Sequence, residues 1–189
     1  FLDLPAGAVL SVSPERFLAL EPTADPASPT RRGLRLRTEP IKGTRRRQLD
    51  DPAADAALGA ELLASEKDRA ENRMIVDLMR NDLSRVCAPG SVRATELLAL
   101  RSFPTVHHLV STIEGRLRPD LGLADVLAAT LPGGSITGAP KVEAMRQIRH
   151  HEPLVRGPYC GNIGYIGLDG RADLTIAIRT ALVQGQTLH

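Results

Sequence analysis

Between Ala56 and Val86 the chain is rich in helix formers, and Ile75, Met79 and Leu83 recur every fourth residue. This spacing predicts one long helix carrying a single buried apolar stripe, ended by the turn Ala88-Pro89-Gly90. Around it the pattern changes to strands. "GAVLSVS" alternates up to Pro14, and "LRLRTEPI" alternates apolar with basic positions up to Lys42. "TVHHLVSTI" is β-branched between Pro104 and Gly115, and "YIGLDGRADLTIAIRTALV" reads as strands joined by the Asp169-Gly170 turn. Residues 21–30, with three prolines, read as a surface loop. "LADVLAATL" predicts a short helix stopped at Pro132-Gly133-Gly134, and Pro140 starts another whose Val142, Met145 and Ile148 face inward. Strands mixed with helices of unequal length, without a regular βαβ repeat, predict an α+β fold.

At 189 residues the chain has the size of one domain, here taken as 1–189. It lacks an apolar run long enough to span a membrane and a basic leader ahead of "FLDLPAGAVLS", and without an initiator Met it reads as a fragment. Cys87 and Cys160 stand far apart with no metal-ligand spacing, which predicts reduced, buried thiols in a cytoplasmic protein. The net charge is only +2, with a local excess from Arg31 to Arg47. That run could bind phosphates, but aromatic residues are 3% of the chain and Trp is absent, so stacking platforms for nucleic acid are scarce.

Several short stretches could carry chemistry. "PGGSITGAPK" is not a Walker loop, because Gly138 is followed by Ala-Pro-Lys; a Gly-rich turn entering a helix can still receive an anion. Asp68 and Glu71, three apart, project from nearly the same helix face and could bind Mg²⁺, or could belong to a solvated face of charge pairs with Lys67. His107 and His108 must point to opposite faces of their strand. In "LTIAIRT", Leu174, Ile176 and Ile178 alternate with Thr175, Ala177 and Arg179, so Arg179 shares its face with small side chains that leave room for a carboxylate ligand. Glu15 in "SPERF" could be a simple turn acid, and Lys42 in "PIKGT" could be one more surface cation beside Arg45, Arg46 and Arg47.

In order, "SPERF", "PIKGT", "AENRMIVDLMRNDL", "VHHLVSTIEG", "PGGSITGAPK", "CGNIGYIG" and "IAIRTALV" resemble the chorismate-utilising enzymes across nearly the whole chain. The resemblance implies two packed, mainly antiparallel sheets flanked by helices, incomplete at the C-terminus. It also implies Mg²⁺-dependent amination of chorismate at C4, toward para-aminobenzoate and folate, with ammonia from a glutamine amidotransferase subunit or fused domain. Carried across, Lys42 is the nucleophile, Glu15 the acid that protonates the leaving C4 oxygen, and His108 a further catalytic residue. Gly134, Ser135, Thr137, Tyr165 and Arg179 meet the substrate; Glu71 and Asp68 bind the metal. Two departures accompany the resemblance: Glu39 stands where Arg is common, and a further carboxylate loop and metal-binding glutamates lie beyond the end of this chain. On that basis the 189-residue chain is expected to have little activity of its own. The rival readings are anthranilate synthase component I, which usually has Ala at the position of Lys42, isochorismate and salicylate synthases, and a non-catalytic fragment.

Overall fold

The computed structural model describes the backbone of residues 1–25 and 28–189, and the side chains of 1–23 and 33–189. Strands β1 (Leu2–Leu4), β2 (Gly7–Ser11), β3 (Arg16–Asp25), β4 (Ser28–Glu39) and β5 (Ile41–Arg46) precede helices α1 (Pro52–Ala64) and α2 (Glu66–Ser84). Then come β6 (Arg93–Ser102), β7 (Val106–Arg116), α3 (Leu123–Thr130), a 3₁₀ turn (Gly134–Ile136) and α4 (Lys141–His151). The chain finishes with β8 (Asn162–Ile166), β9 (Ala172–Ile176), β10 (Thr180–Gln184) and β11 (Thr187–Leu188).

Two antiparallel sheets result, as expected. One has the order β1-β2-β10-β11; the other runs β5-β7-β4-β3-β9-β8, with β6 on the second edge of β7. Pro40 has no N–H to give a ladder, so it divides β4 from β5. Both nevertheless pair with β7, β4 through Arg35 to Thr38 and β5 through Ile41 to Arg46. The apolar stripe of α2, Ile75, Met79 and Leu83, is buried against Leu18, Leu36, Ile113, Leu174 and Ile176, and Val126 of α3 joins it. Each such side chain contributes about 1.5–3 kcal/mol on burial. No described helix is long and apolar enough to cross a membrane.

The structure differs from the sequence reading in five places. The long helix is two helices: Ser65 is extended, its N–H bonds to Leu62 O, and its hydroxyl accepts from Asp68 N, so it ends α1 and caps α2. Residues 21–25 and 28–30 are strand rather than loop, because β3 and β4 pair along their length; residues 26 and 27 lie outside the described residues. Residues 93–102 form a strand that no alternation announced, since register shifts on both sides of Glu96 break its period. No apolar residue of α4 is buried, and Val142 and Met145 are exposed. Finally, β9 stops at Ile176: Ile178 N–H bonds back to Ile176 O and Arg179 adopts φ 51°, so Arg179 is not on the strand face that alternation assigned to it.

Candidate active site

"PIKGT" forms a bulge. The register on β7 steps from Ile41 opposite Val110 to Thr44 opposite His108, so β5 carries one extra residue at Lys42-Gly43. Gly43 has φ 89°, and a Cβ there would lie 2.8 Å from Leu62 Cδ1 and 2.9 Å from Asp68 Cβ. Only glycine fits against α1 and α2 at this point, and the bulge re-aims the half-buried Lys42.

Lys42 faces Glu15. This carboxyl is buried just before β3, where its backbone O accepts Ile176 N–H at 3.1 Å. No helix begins here, so the turn-acid reading does not apply. Burial pushes the Glu15 pKa up, opposed by the neighbouring Ser135 side chain and by the charge of Lys42. Three stretches far apart in sequence, "SPERF", "PIKGT" and "PGGSITGAPK", therefore meet at one carboxyl.

Ser135 is held there by glycines. A Cβ on Gly133 would sit 2.6 Å from Ile176 Cδ1, and one on Gly134 2.5 Å from Leu78 Cδ2, so the turn packs backbone-close between sheet and α2. Thr137 Oγ1 donates to Gly133 O at 2.9 Å, closing the turn on itself.

The two histidines separate as their strand requires. His107 bonds Asp55 at 3.1 Å and Ser102 at 2.8 Å, tying β7 to α1 and β6. His108 meets Thr44 Oγ1 at 2.9 Å through Nδ1, and its ring lies edge-on to Phe103. Burial lowers the His108 pKa, a backbone hydrogen bond with Gly43 raises it, and the charge of Arg179 lowers it further. The imidazole is thus neutral near pH 7, and Arg179, although exposed, acts on it electrostatically.

Tyr165 is exposed on β8 and lines a cavity of about 480 Å³ with Arg16, Glu39, Arg101, Phe103 and Asp173; Pro14 and Ile41, the chain neighbours of Glu15 and Lys42, line it too. Glu39, buried beside it, accepts from Arg16 at 2.6 Å, Arg101 at 2.7 Å and Arg37 at 2.8 Å. Burial alone would raise its pKa, but bonds from Arg101, Arg37 and Arg16 outweigh that and hold it below the ordinary value. Much of the arginine-rich run is engaged in the same way: Arg35 pairs with Glu21, Arg45 with Glu61, and Arg47 with Asp55, while Arg46 is exposed. Pairing of these three weakens the support for a phosphate-binding surface; the side chains of Arg31 and Arg32 lie outside the described residues.

Sequence reasoning missed Asn72 and Asp82, both buried on α2. Asn72 Nδ2 donates to Leu109 O at 3.1 Å, and Ser111 Oγ donates to Asn72 Oδ1 at 2.5 Å, fixing α2 on β7. Asp82 receives Lys141 Nζ at 2.5 Å. Their signal is that both lie beside the apolar stripe, three residues before Ile75 and three after Met79, where a polar residue needs a partner.

The sequence profile described as chorismate binding enzyme matches residues 1–189. The chain belongs to that family. Aminodeoxychorismate synthase component 1 of Salmonella typhimurium is 52% identical over 187 residues, covering 98% of this chain and 38% of that protein. Anthranilate synthase component 1 1 of Haloarcula marismortui is 45% identical over 188 residues, 100% of this chain and 36% of that protein. Among solved structures, anthranilate synthase component I from Streptococcus pneumoniae superposes with a TM-score of 0.82 at 38% identity, over 100% of this chain and 38% of that one. This chorismate binding enzyme chain thus spans under two fifths of the length of these relatives.

The fit of this family member to Mg²⁺ is partial. Asp68 sits 3.4 Å from Arg45 and answers its charge, whereas Glu71 is half exposed and 3.9 Å from the exposed Lys67. Among the described residues no three His, Cys, Asp or Glu side chains are arranged to hold a metal. Magnesium takes six oxygen ligands in near-octahedral geometry, so a site that used Glu71 would need its other donors from elsewhere.

Proposed function

We propose that this chain carries the nucleophile and the acid of an enzyme that aminates chorismate at C4. The observation that supports the reading best is that the charge of Lys42, on its bulge, acts on buried Glu15, whose burial favours the protonated carboxyl. The Lys42 amine attacks C2 of chorismate, the ring double bonds shift, and the C4–O bond breaks as Glu15 gives its proton to the departing oxygen. Ammonia then adds at C4 and returns a proton to the Glu15 carboxylate, the double bonds shift back, and the C2–N bond to Lys42 breaks, releasing 4-amino-4-deoxychorismate. One hard displacement becomes two easier ones. Ammonia comes from a glutamine amidotransferase, separate or fused. Neutral His108 and nearby Arg179 suit a polar and a charged contact to the substrate, and Thr137 and Gly134 shape the turn that presents Ser135. Mg²⁺, with Glu71 as one donor, would neutralise charge on a substrate carboxylate.

A second reading, anthranilate formation, is favoured by the 45% identity to an anthranilate synthase component. Ammonia would then attack C2 directly and Lys42 would have no covalent role. Product analysis separates the two. The full-length protein given chorismate, Mg²⁺ and ammonium is expected to yield 4-amino-4-deoxychorismate, and Lys42→Ala to lose most of that product. Anthranilate as the main product would overturn the proposal.

A further inference from the structure

The segment 131–140 brings Ser135 near Glu15, yet little apolar packing fixes its far end, because no apolar residue of α4 is buried. What fixes it is Lys141, the first residue of α4. Its Nζ donates to Asp82 Oδ2 in the last turns of α2 at 2.5 Å and to Thr130 O, the end of α3, at 3.0 Å. One ammonium thereby joins the ends of three helices and closes the segment from both sides. Both partners are nearly dry, at 13% and 3% side-chain exposure. A buried ion pair contributes little to stability once its desolvation is counted, but it permits few alternative geometries. The pair is therefore better suited to setting a position than to holding the fold together. Lys141 is the lysine of "GAPK", and it is engaged by Asp82.

We propose that Asp82 and Lys141 are positioning residues: their clasp sets where Ser135 meets Glu15, and so acts on proton delivery through Ser135. The proposal rests on Glu15 being the acid of the proposed reaction. The clasp itself is a claim about structure that can be read separately.

The test uses the full-length protein with Asp82→Leu/Lys141→Met, which removes both charges together and leaves no unpaired ion. Hydrogen exchange at residues 133–137 is expected to accelerate by about tenfold or more while β7 amides keep their protection. Unchanged exchange at 133–137 overturns the clasp, whatever the turnover. In chorismate amination the same variant is expected to lower kcat about tenfold with KM within about twofold. In a Ser135→Ala background it should add less than about a further twofold, since coupled residues are not additive. Fully additive losses would mean that the pair acts on the fold at large, and would overturn its role through Ser135. Should the apolar pair fail to fold, Asp82→Glu keeps the charge and moves the carboxylate by one methylene; a smaller kcat loss, again absent in the Ser135→Ala background, is expected. A wild-type protein that does not aminate chorismate contradicts the proposed function and leaves the exchange measurement to decide the clasp.

Discussion

Burial of Glu15 opposes its ionisation, and this ties stability to pH. Its folded pKa lies above the ordinary 4.5, so the folded state holds the proton more tightly than the unfolded state. The resulting stability is fully present below 4.5 and lost as pH rises through the folded value. His108 has the opposite sign: its folded pKa lies below the ordinary 6.5, so its contribution is present above 6.5 and lost as pH falls through the folded value. Glu15→Gln is therefore expected to melt higher than wild type at pH 8 and to lose that advantage at pH 4, with about 2–4 °C for each kcal/mol gained. Equal melting of the two proteins at both pH values would contradict the buried-acid assignment. The two thiols differ as well. Cys87 is buried beside Gly115, and burial pushes its thiol up to about 11, whereas Cys160 is partly exposed. Iodoacetamide at pH 8 should alkylate Cys160 in the native protein and reach Cys87 only on unfolding. Comparable labelling of both in the native state would show that the core around Cys87 is open.

Strand β8 lies at one edge of the larger sheet and meets β9 very closely. A Cβ on Gly164 would lie 1.9 Å from the backbone O of Asp173, where no side-chain adjustment can relieve the clash. Gly164→Ala is expected to lift β8 from β9, exposing Asn162 to Ile166 to fast amide exchange while the β3–β4 pairing persists. Retained protection along β8 would mean that the edge yields more easily than this contact implies. The same scale shows what sequence periodicity can disclose. The stripe of α2 and the strand β7 were legible because one burial environment runs their whole length. β6 was hidden because its bulges destroy the period, and the Ser65 break was hidden because helix formers continue on both sides of it. The inward face expected for α4 follows from periodicity alone, which reports a helix but not whether anything packs against it.

Across the whole molecule, the chemistry depends on contacts that sequence order cannot display. Ser135 neighbours Glu15 from far along the chain, and Glu39 gathers Arg16, Arg37 and Arg101 from three strands. Neither contact has a local pattern; the ordered set of motifs named the family's blocks but not the distances among them. Lys42 was legible as a candidate from its motif, and the bulge with Gly43 gives the physical reason for the residue that follows it. The central claim is that Lys42 bonds covalently to the substrate. The most direct measurement is mass spectrometry of digested full-length protein after incubation with chorismate and Mg²⁺ but no ammonia. The account predicts an adduct on the peptide containing Lys42 that disappears when ammonium is added and is absent from Lys42→Ala. An unmodified Lys42 peptide, together with full C4 amination by Lys42→Ala, would contradict it.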